Sequence, residues 1–338
     1  MAELKLNART LARRAPEPLT IVGLGEVLFD VFEDGTETLG GAPLNVAVHA
    51  HQLAAPLGLG EGVVASRIGA DSRGTQILDL LRSHGMSTQY VQIDSDHPTG
   101  AVSVLMCDGE PGYQIESGAA WDFIAPSELL DDLAKNCDAI CFGSLAQRAT
   151  ASQQTIRRFL KNASHALRLY DINLRRNTLT HEAGYTPDVI EESCHLATMI
   201  KLNVLELAEI CALFGIYGSA DAGEAGIRKG IDSLLARFPV GAVILTRGAE
   251  GTALFTHNGE FRGHVPPVPL VHVHPVGAGD ACSAGFLFGS VLGCHPDDVI
   301  DLANQMGTWV ASQLSATPLL PNSILAFVQE TIHSHSVV

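Results

Sequence analysis

Basic residues are scarce in this 338-residue chain, and long apolar runs are missing. There are 21 Lys and Arg against 37 Asp and Glu, so the formal net charge is −16. Because nucleic-acid binding depends on Lys and Arg that neutralise phosphates, this deficit argues against a nucleic-acid partner. The longest apolar run, residues 281–294, is interrupted by serines and glycines and is shorter than the roughly 18 residues of a membrane span. We therefore expect no membrane partner either.

Disulfide chemistry and a secretory signal are also not indicated. The seven cysteines are odd in number and scattered from Cys107 to Cys294, which does not suggest a disulfide framework. Such cysteine usage is typical of a reducing compartment, and we expect a cytoplasmic protein. The basic N-terminus lacks the apolar segment of a secretory signal. We predict a flexible tail over residues 1–18, with an organelle transit peptide as the alternative.

Short β-branched runs alternate with longer amphipathic stretches along most of the chain. This alternation predicts an α/β fold whose parallel sheet is buried between helices. The predicted strands are 19–25, 62–69, 139–143, 167–173, 198–203 and 242–248. The predicted helices are 42–55, 72–83, 150–162, 204–214 and 221–237.

Two segments, 28–42 and 98–119, break this alternation. The first contains the hairpin signal Asp34-Gly35, and the second has two alternating runs around a glycine- and proline-rich turn. We expect two antiparallel strand pairs outside the main sheet, which together form a small lid. The chain is then one α/β domain over residues 19–338, with the lid inserted within it.

The most informative motif is a glycine-rich turn that leads into a small-residue helix at residues 276–286. Gly277 and Gly279 allow backbone N–H groups to converge at the helix N-terminus, which is a favourable place for an anion. Asp280, in the first helical turn, can accept a proton beside that anion. The alternative is an ordinary helix start in which the helix dipole favours an aspartate.

Other glycine-rich and polar motifs lie at predicted strand ends and helix starts, where α/β sheets bind ligands. They are Gly40–Asn45, Asn203 with Glu206 three positions on, and Thr246 with Gly248 and Gly251. The Gly23-x-Gly25 pair is no dinucleotide fingerprint, because Glu26 follows it and the third glycine is missing. No Gly-Lys-Ser/Thr occurs, so a P-loop is excluded.

With these motifs the chain resembles the ribokinase-like sugar kinases, the PfkB carbohydrate kinase family, and is most similar to their bacterial fructokinases. The resemblance runs from about residue 19 to residue 321 and rests on Gly-Ala-Gly-Asp at 277–280 and Gly-Gly-Ala-Pro-x-Asn at 40–45. It implies the ribokinase-like three-layer fold: a mostly parallel central sheet flanked by helices, plus a small β-sheet lid. It also implies ATP-dependent phosphorylation of a primary hydroxyl of a small sugar, with fructose as the leading acceptor. A homodimer through the lid is a further expectation.

The resemblance assigns roles to individual residues. The general base is Asp280, and the anion hole consists of the N–H groups of Gly277, Ala278 and Gly279. The nucleotide-binding residues are Asn203, Glu206, Thr246, Gly248, Gly251 and Asn304, with Glu206 holding Mg²⁺ through water. The sugar-binding residues are Asp30, Gly41, Asn45, Asp280 and Arg175.

The segment Asp171–Arg175 resembles the Asp-x-Asn-x-Arg stretch of fructokinases and 2-keto-3-deoxygluconate kinases. The resemblance implies that Arg175 reaches the substrate or the γ-phosphate, because a planar guanidinium suits such anions. The alternative is a structural pair with a carboxylate such as Asp171. The Leu-Trp that often follows in those enzymes is replaced by the polar segment Asn177–Thr180.

A second departure from the family concerns potassium, which many relatives bind through oxygen ligands just before the glycine turn. His274 and Pro275 occupy that region here, and neither side chain offers an oxygen. We therefore expect ATP and Mg²⁺ but no potassium requirement. His272 and His274 share one strand face, as two ligands of a transition metal would, but no third ligand accompanies them, and we expect solvated or core histidines instead.

Three other functions stay open. A 2-keto-3-deoxygluconate kinase takes an anionic acceptor, but segments 28–42 and 98–119 contain no Lys or Arg, which favours a neutral sugar. A nucleoside kinase needs apolar stacking, for which Phe29, Phe32, Tyr113 and Trp121 are available. A catalytically silent sugar or nucleotide sensor is supported only by the altered residues His274 and Pro275.

Overall fold

A computed structural model of the chain describes residues 18–107, 110–175, 184–216, 223–263, 265 and 276–335. The strands are β1 (Leu19–Leu24), β2 (Leu28–Phe32), β3 (Glu37–Gly40), β4 (Gly60–Gly69), β5 (Val91–Asp94), β6 (Gly100–Cys107), β7 (Glu110–Ile115), β8 (Ala139–Gly143), β9 (Leu167–Asp171), β10 (Met199–Asn203), β11 (Ala242–Thr246), β12 (Thr252–Thr256) and β13 (Gly259–Arg262). The helices are α1 (Ala42–Ala54), α2 (Ser72–Ser83), α3 (Glu128–Asn136), α4 (Thr150–Asn162), α5 (Pro187–Leu196), α6 (Val204–Leu213), α7 (Gly223–Arg237), α8 (Ala278–Val291), α9 (Pro296–Ala311) and α10 (Asn322–His335).

Within these residues the main sheet has nine strands in the order β13-β12-β11-β10-β9-β8-β1-β4-β5. Neighbouring strands are parallel from β11 to β5, whereas β12 and β13 add an antiparallel edge. Val22 of β1 lies opposite Val63 and Ile140 in the register. The central strands are almost continuously apolar because both faces of a parallel sheet are covered by helices.

Alternate side chains of each central strand pack into the two opposite helical layers. Ile21 and Ile244 belong to the apolar core with α1, α8, α9 and α10. Their neighbours Val22 and Val243 belong to the core with α3, α4, α5, α6 and α7. The result is the predicted three-layer arrangement.

A second sheet of four strands, in the order β3-β2-β6-β7, forms the lid. The antiparallel pairs β2–β3 and β6–β7 agree with the sequence prediction. A parallel pairing of β2 with β6, in which Leu28 lies opposite Gly100, joins the two pairs into one sheet. The sequence did not predict this parallel pairing, because two strands so far apart in the chain share no local turn signal.

Several predictions concern residues outside the described ranges. These residues are the N-terminal 17, Asn177–Thr180, His272, His274 and Pro275. The boundaries of the tail and of the kinase domain, the interpretation of the two histidines and the homodimer through the lid stay predictions. In the part of the chain that the structure describes, no helix is long and apolar enough to cross a bilayer.

Helix α1 is fastened to the loop that follows α9. The ring Nε2 of His49 lies 2.9 Å from the carbonyl oxygen of Ala316. Gln52, on the next turn of the helix, bonds Pro318 and Leu320 in the same loop. A carbonyl oxygen only accepts hydrogen bonds, so Nε2 of His49 carries the hydrogen, and Nδ1 is buried without a partner.

Burial lowers the pKa of His49 from 6.5 to about 4. Between these values the unfolded chain binds a proton that the folded chain excludes, so stability falls as the pH drops below about 6.5. At pH 5.5 this single group should cost about 1.4 kcal/mol relative to pH 7.5. We expect His49→Gln, which keeps a donor for Ala316, to lose less thermal stability over this interval than the wild type. Melting curves at both pH values check this, with the exposed His257→Gln as control, and an unchanged pH dependence in His49→Gln would contradict the assignment.

Candidate active site

A cleft of about 350 Å³ lies between the lid and the carboxyl ends of the central strands. Parallel α/β sheets bind ligands at this edge. From the sheet side it is lined by Glu26, Asp171, Asn173, Arg175, Lys201, Asn203, Glu206 and Thr246. The lid and the start of α1 contribute Leu28, Asp30, Gly40, Gly41, Asn45, Val102 and Ile115, and the start of α8 contributes Gly277, Gly279 and Asp280.

The glycine turn before α8 has the conformation that its sequence requires. Gly277 is the N-cap residue in the left-handed region, with φ of 83°. A Cβ atom built there would lie 2.7 Å from the Cβ of Ala316, so a larger residue would clash with the loop after α9. The first N–H groups of a helix have no intrahelical partner. Those of Gly277, Ala278 and Gly279 are thus in the right place for an anion, although Ala278 itself does not line the cleft.

Asp280 and Asn45 are 235 positions apart in the sequence and meet in the cleft. The Nδ2 group of Asn45 donates a 2.7 Å hydrogen bond to Oδ2 of Asp280, while Oδ1 of Asn45 is buried without a partner. Burial raises the pKa of Asp280, and the nearby charge of Asp171 raises it further. A carboxylate with a raised pKa holds a proton more readily than an ordinary aspartate, which suits a general base.

A buried ion pair lies next to the glycine turn. Lys201 and Asp171 face each other in the register of β10 and β9, and Nζ of Lys201 lies 2.7 Å from Oδ2 of Asp171. Burial lowers the pKa of Lys201, but the partner carboxylate outweighs this effect and keeps the pKa above its usual value. Ser283 of α8 lies 3.1 Å from the same Asp171 oxygen and 3.0 Å from the carbonyl oxygen of Gly279. The pair therefore connects two strands to the first turn of α8.

Asp171 is thus bound by Lys201 and Ser283, and the structural pair between Asp171 and Arg175 is not formed. Arg175 instead lines the cleft with an exposed side chain. Its positive charge lowers the pKa values of Glu26 and Asp280. This position is compatible with contact to a substrate or a phosphate.

Asn203 and Glu206 form a capping box at the start of α6. Oδ1 of Asn203 accepts a 2.9 Å bond from the Glu206 N–H, and Oε2 of Glu206 accepts one of 2.9 Å from the Asn203 N–H. Oε1 of Glu206 accepts a third bond, 2.9 Å from the N–H of Leu174. The motif therefore has a local structural role, and both residues also line the cleft.

The acidic residues of the cleft fit a Mg²⁺ ion that is held mainly by phosphates and water. Mg²⁺ usually takes one or two protein carboxylates and keeps several waters. Among the described residues no group of three or more His, Cys, Asp or Glu is arranged to hold a metal by itself. Glu206, whose two oxygens already accept backbone hydrogen bonds, fits contact through water.

The remaining predicted nucleotide residues are only partly in the cleft. Thr246, at the end of β11, lines it, whereas Gly248, Gly251 and Asn304 do not. A Cβ atom built on Gly251 would lie 3.4 Å from Nδ2 of Asn304, so these two residues are brought together. The predicted sugar residues Asp30, Gly41 and Asn45 all line the cleft.

Sequence reasoning missed Lys201 and Glu26 as members of the site. Glu26 follows β1 and is only 3% exposed, and its Oε2 has no hydrogen-bond partner. Burial is the main reason that its pKa rises to about 7, and the charges of Asp280 and Asp171 add to the rise. The sequence contained a signal for each residue. Glu26 directly follows an apolar strand and Lys201 lies inside one, and a charged side chain at such a buried position needs a partner or a shifted pKa.

Comparison with known proteins gives the family. The family model described as pfkB family carbohydrate kinase matches residues 28–323. Fructokinase of Klebsiella pneumoniae is 30% identical over 291 residues, which cover 83% of this chain and 87% of that protein. Aminoimidazole riboside kinase of Salmonella typhimurium is 26% identical over 294 residues, which cover 83% of this chain and 84% of that protein.

Solved structures confirm the fold. The crystal structure of fructokinase with bound ATP from Xylella fastidiosa superposes with a TM-score of 0.74 at 20% identity, covering 92% of this chain and 98% of that one. The ribokinase-like architecture predicted from the motifs is therefore correct. Because the family model matches residues 28–323, the chain belongs to the PfkB family of carbohydrate kinases, which are phosphotransferases that act on an alcohol group.

Proposed function

We propose that the chain transfers the γ-phosphate of ATP to a primary hydroxyl of fructose, with Asp280 as the general base. The observation that carries this proposal is the 2.7 Å bond between Asn45 and Asp280 beside the glycine turn of α8. It unites a predicted sugar-binding residue, a proton acceptor and a set of helix N–H groups in one cleft.

The reaction needs positioning and charge stabilisation more than covalent help from the protein. Asp280 takes the proton of the acceptor hydroxyl as its oxygen attacks the γ-phosphorus, and the bond from that phosphorus to the bridging oxygen of ADP breaks. The N–H groups of Gly277, Ala278 and Gly279 stabilise the negative charge on the transferring group. The cations Arg175 and Lys201 add to this stabilisation.

Nucleotide and metal occupy the other part of the cleft in this proposal. Asn203 and Thr246 bind the phosphates in the cleft, and the base extends beyond the cleft toward Gly248, Gly251 and Asn304. Glu206 would hold Mg²⁺ through water, and the ion supplies neutralisation of the phosphate charge when bound.

Two observations support a neutral sugar, and fructose in particular. Besides Gly40, the lid contributes the apolar Leu28, Val102 and Ile115 and the acidic Asp30 to the cleft, none of which attracts an anion. Relatives named fructokinase cover most of the chain. An anionic acceptor such as 2-keto-3-deoxygluconate is the alternative, and the riboside kinase relative makes a nucleoside a further one.

An ADP-release assay over a set of acceptors tests the proposed function. With fructose, ribose, tagatose, 2-keto-3-deoxygluconate and nucleosides, we expect the highest kcat/KM for fructose. A higher value for another acceptor would replace fructose. If none is turned over, a catalytically silent sensor becomes the better description.

Replacing the proposed base tests the mechanism. We expect Asp280→Asn to lower kcat by about 10²–10⁴-fold, because the hydroxyl loses its proton acceptor. ATP binding, followed by titration calorimetry, should be retained. Asp132→Asn, at an exposed position of α3, is the control, and near-normal turnover of Asp280→Asn would disprove the assignment.

Monovalent cations test the altered segment before the glycine turn. Because His274 and Pro275 offer no side-chain oxygen, we expect the same kcat in sodium and in potassium buffers at equal ionic strength. Steady-state rates across both salts measure this. Strong activation by potassium would contradict this expectation.

A further inference from the structure

Among the described acids of the cleft, Glu26 is the one with a buried carboxylate oxygen that has no hydrogen-bond partner. Asp280 is bound by Asn45, and Asp171 is bound by Lys201 and Ser283. By contrast, Oε2 of Glu26 is buried without any partner. Among the described residues that line the cleft, Oδ1 of Asn45 is the one other buried polar atom in this condition.

The residues that carry these two atoms both lie near Asp280, to which Asn45 donates a hydrogen bond and whose charge acts on Glu26. Glu26 lies in the short link between β1 of the main sheet and β2 of the lid, and Asn45 lies in the first turns of α1. Gly41 connects them, since a Cβ atom built on it would lie 2.6 Å from the carbonyl oxygen of Glu26. Gly41 and Asn45 are residues of the proposed sugar site. Buried polar atoms without hydrogen-bond partners destabilise a fold. The presence of two such atoms in the cleft therefore points to a ligand that supplies the missing hydrogen bonds.

The charge of the cleft indicates which ligand fits. Its walls carry five acids, Glu26, Asp30, Asp171, Glu206 and Asp280, against the two bases Arg175 and Lys201. An anionic acceptor would meet this acidic excess at close range. Burial and neighbouring carboxylates raise the pKa of Glu26 to about 7, so an appreciable share of it is protonated at neutral pH. A neutral carboxyl group both donates and accepts hydrogen bonds, as a sugar hydroxyl does.

We propose that Glu26 is a specificity-determining residue that hydrogen-bonds one hydroxyl of a neutral polyol acceptor, other than the hydroxyl that is phosphorylated. This inference rests on the proposed sugar kinase function and adds a residue to its acceptor site. Together with Asn45, Glu26 then recognises hydroxyl positions on the acceptor, while Asp280 acts on the reacting one.

Two variants separate this role from a structural one. Glu26→Met has nearly the same length without hydrogen bonding, and Glu26→Gln keeps both a donor and an acceptor. Glu33→Met, at an exposed position in the turn between β2 and β3, is the matched control. Melting curves establish that each variant is folded.

The decisive measurement is kcat/KM for fructose and for analogues that each lack one hydroxyl. For the wild type we expect kcat/KM for one analogue to be lower than that for fructose by about tenfold or more, because that analogue lacks the hydroxyl that Glu26 binds. Glu26→Met should lower kcat/KM for fructose by a similar factor, mainly through a higher KM for fructose. With the analogue that lacks the recognised hydroxyl, kcat/KM of Glu26→Met should not fall further. Glu26→Gln should retain most of the activity and the discrimination, and the KM for ATP should not change.

Equal discrimination among the analogues by the wild type and by Glu26→Met would overturn the inference, even if overall activity falls. Absence of the proposed kinase activity gives a different result, because the wild type would then release no ADP with any sugar. In that case calorimetric titration of the same polyols decides, since binding needs no catalysis. Polyol binding that weakens in Glu26→Met supports the role of Glu26, and binding that is absent or unchanged contradicts it.

Discussion

The ion pair of Lys201 and Asp171 is the interaction on which the geometry of the cleft depends. Both side chains are buried, and removing one partner from such a pair typically costs about 3–5 kcal/mol, because an uncompensated charge stays inside the protein. The pair joins β9 to β10 and, through Ser283, reaches the first turn of α8. It also modifies the effect of burial on Asp280: burial raises the pKa of Asp280, Asp171 raises it further and Lys201 lowers it. One buried contact thus shapes the scaffold and tunes the site.

Parallel topology explains how residues from the whole chain meet in one place. Strand ends at Asp171, Asn203 and Thr246 lie side by side because β9, β10 and β11 are neighbours in the same direction. The lid adds residues from the opposite side. In the proposed function phosphate is met mainly by backbone N–H groups and by the cations Lys201 and Arg175, so a net charge of −16 is compatible with a kinase.

The sequence predicted the central strands and most helices of the first two thirds of the chain, because their apolar periods are long and clear. The strand predicted at 167–173 ends at Asp171, where the backbone leaves the sheet for the cleft. The four-residue strands β5 and β13 escaped prediction, since so short a segment has no readable period. Glycine-rich motifs predicted the positions of Asp280 and Asn45, because their function depends on local backbone shape. The roles of Lys201 and Glu26 depend on distant neighbours, and a linear pattern does not contain that information.

Helix α1 has one further consequence. Asn45 and His49 are one turn apart on the same face of this helix, and one holds Asp280 while the other holds Ala316, which packs against Gly277. The helix therefore holds the start of α8 at two points, so Asp280 and the N–H groups of the glycine turn keep a fixed spacing. The lid strands take no part in these two contacts, so residues of the lid can change without disturbing that spacing. In a family whose members take different sugars, such a separation lets selectivity diverge while the chemistry stays the same.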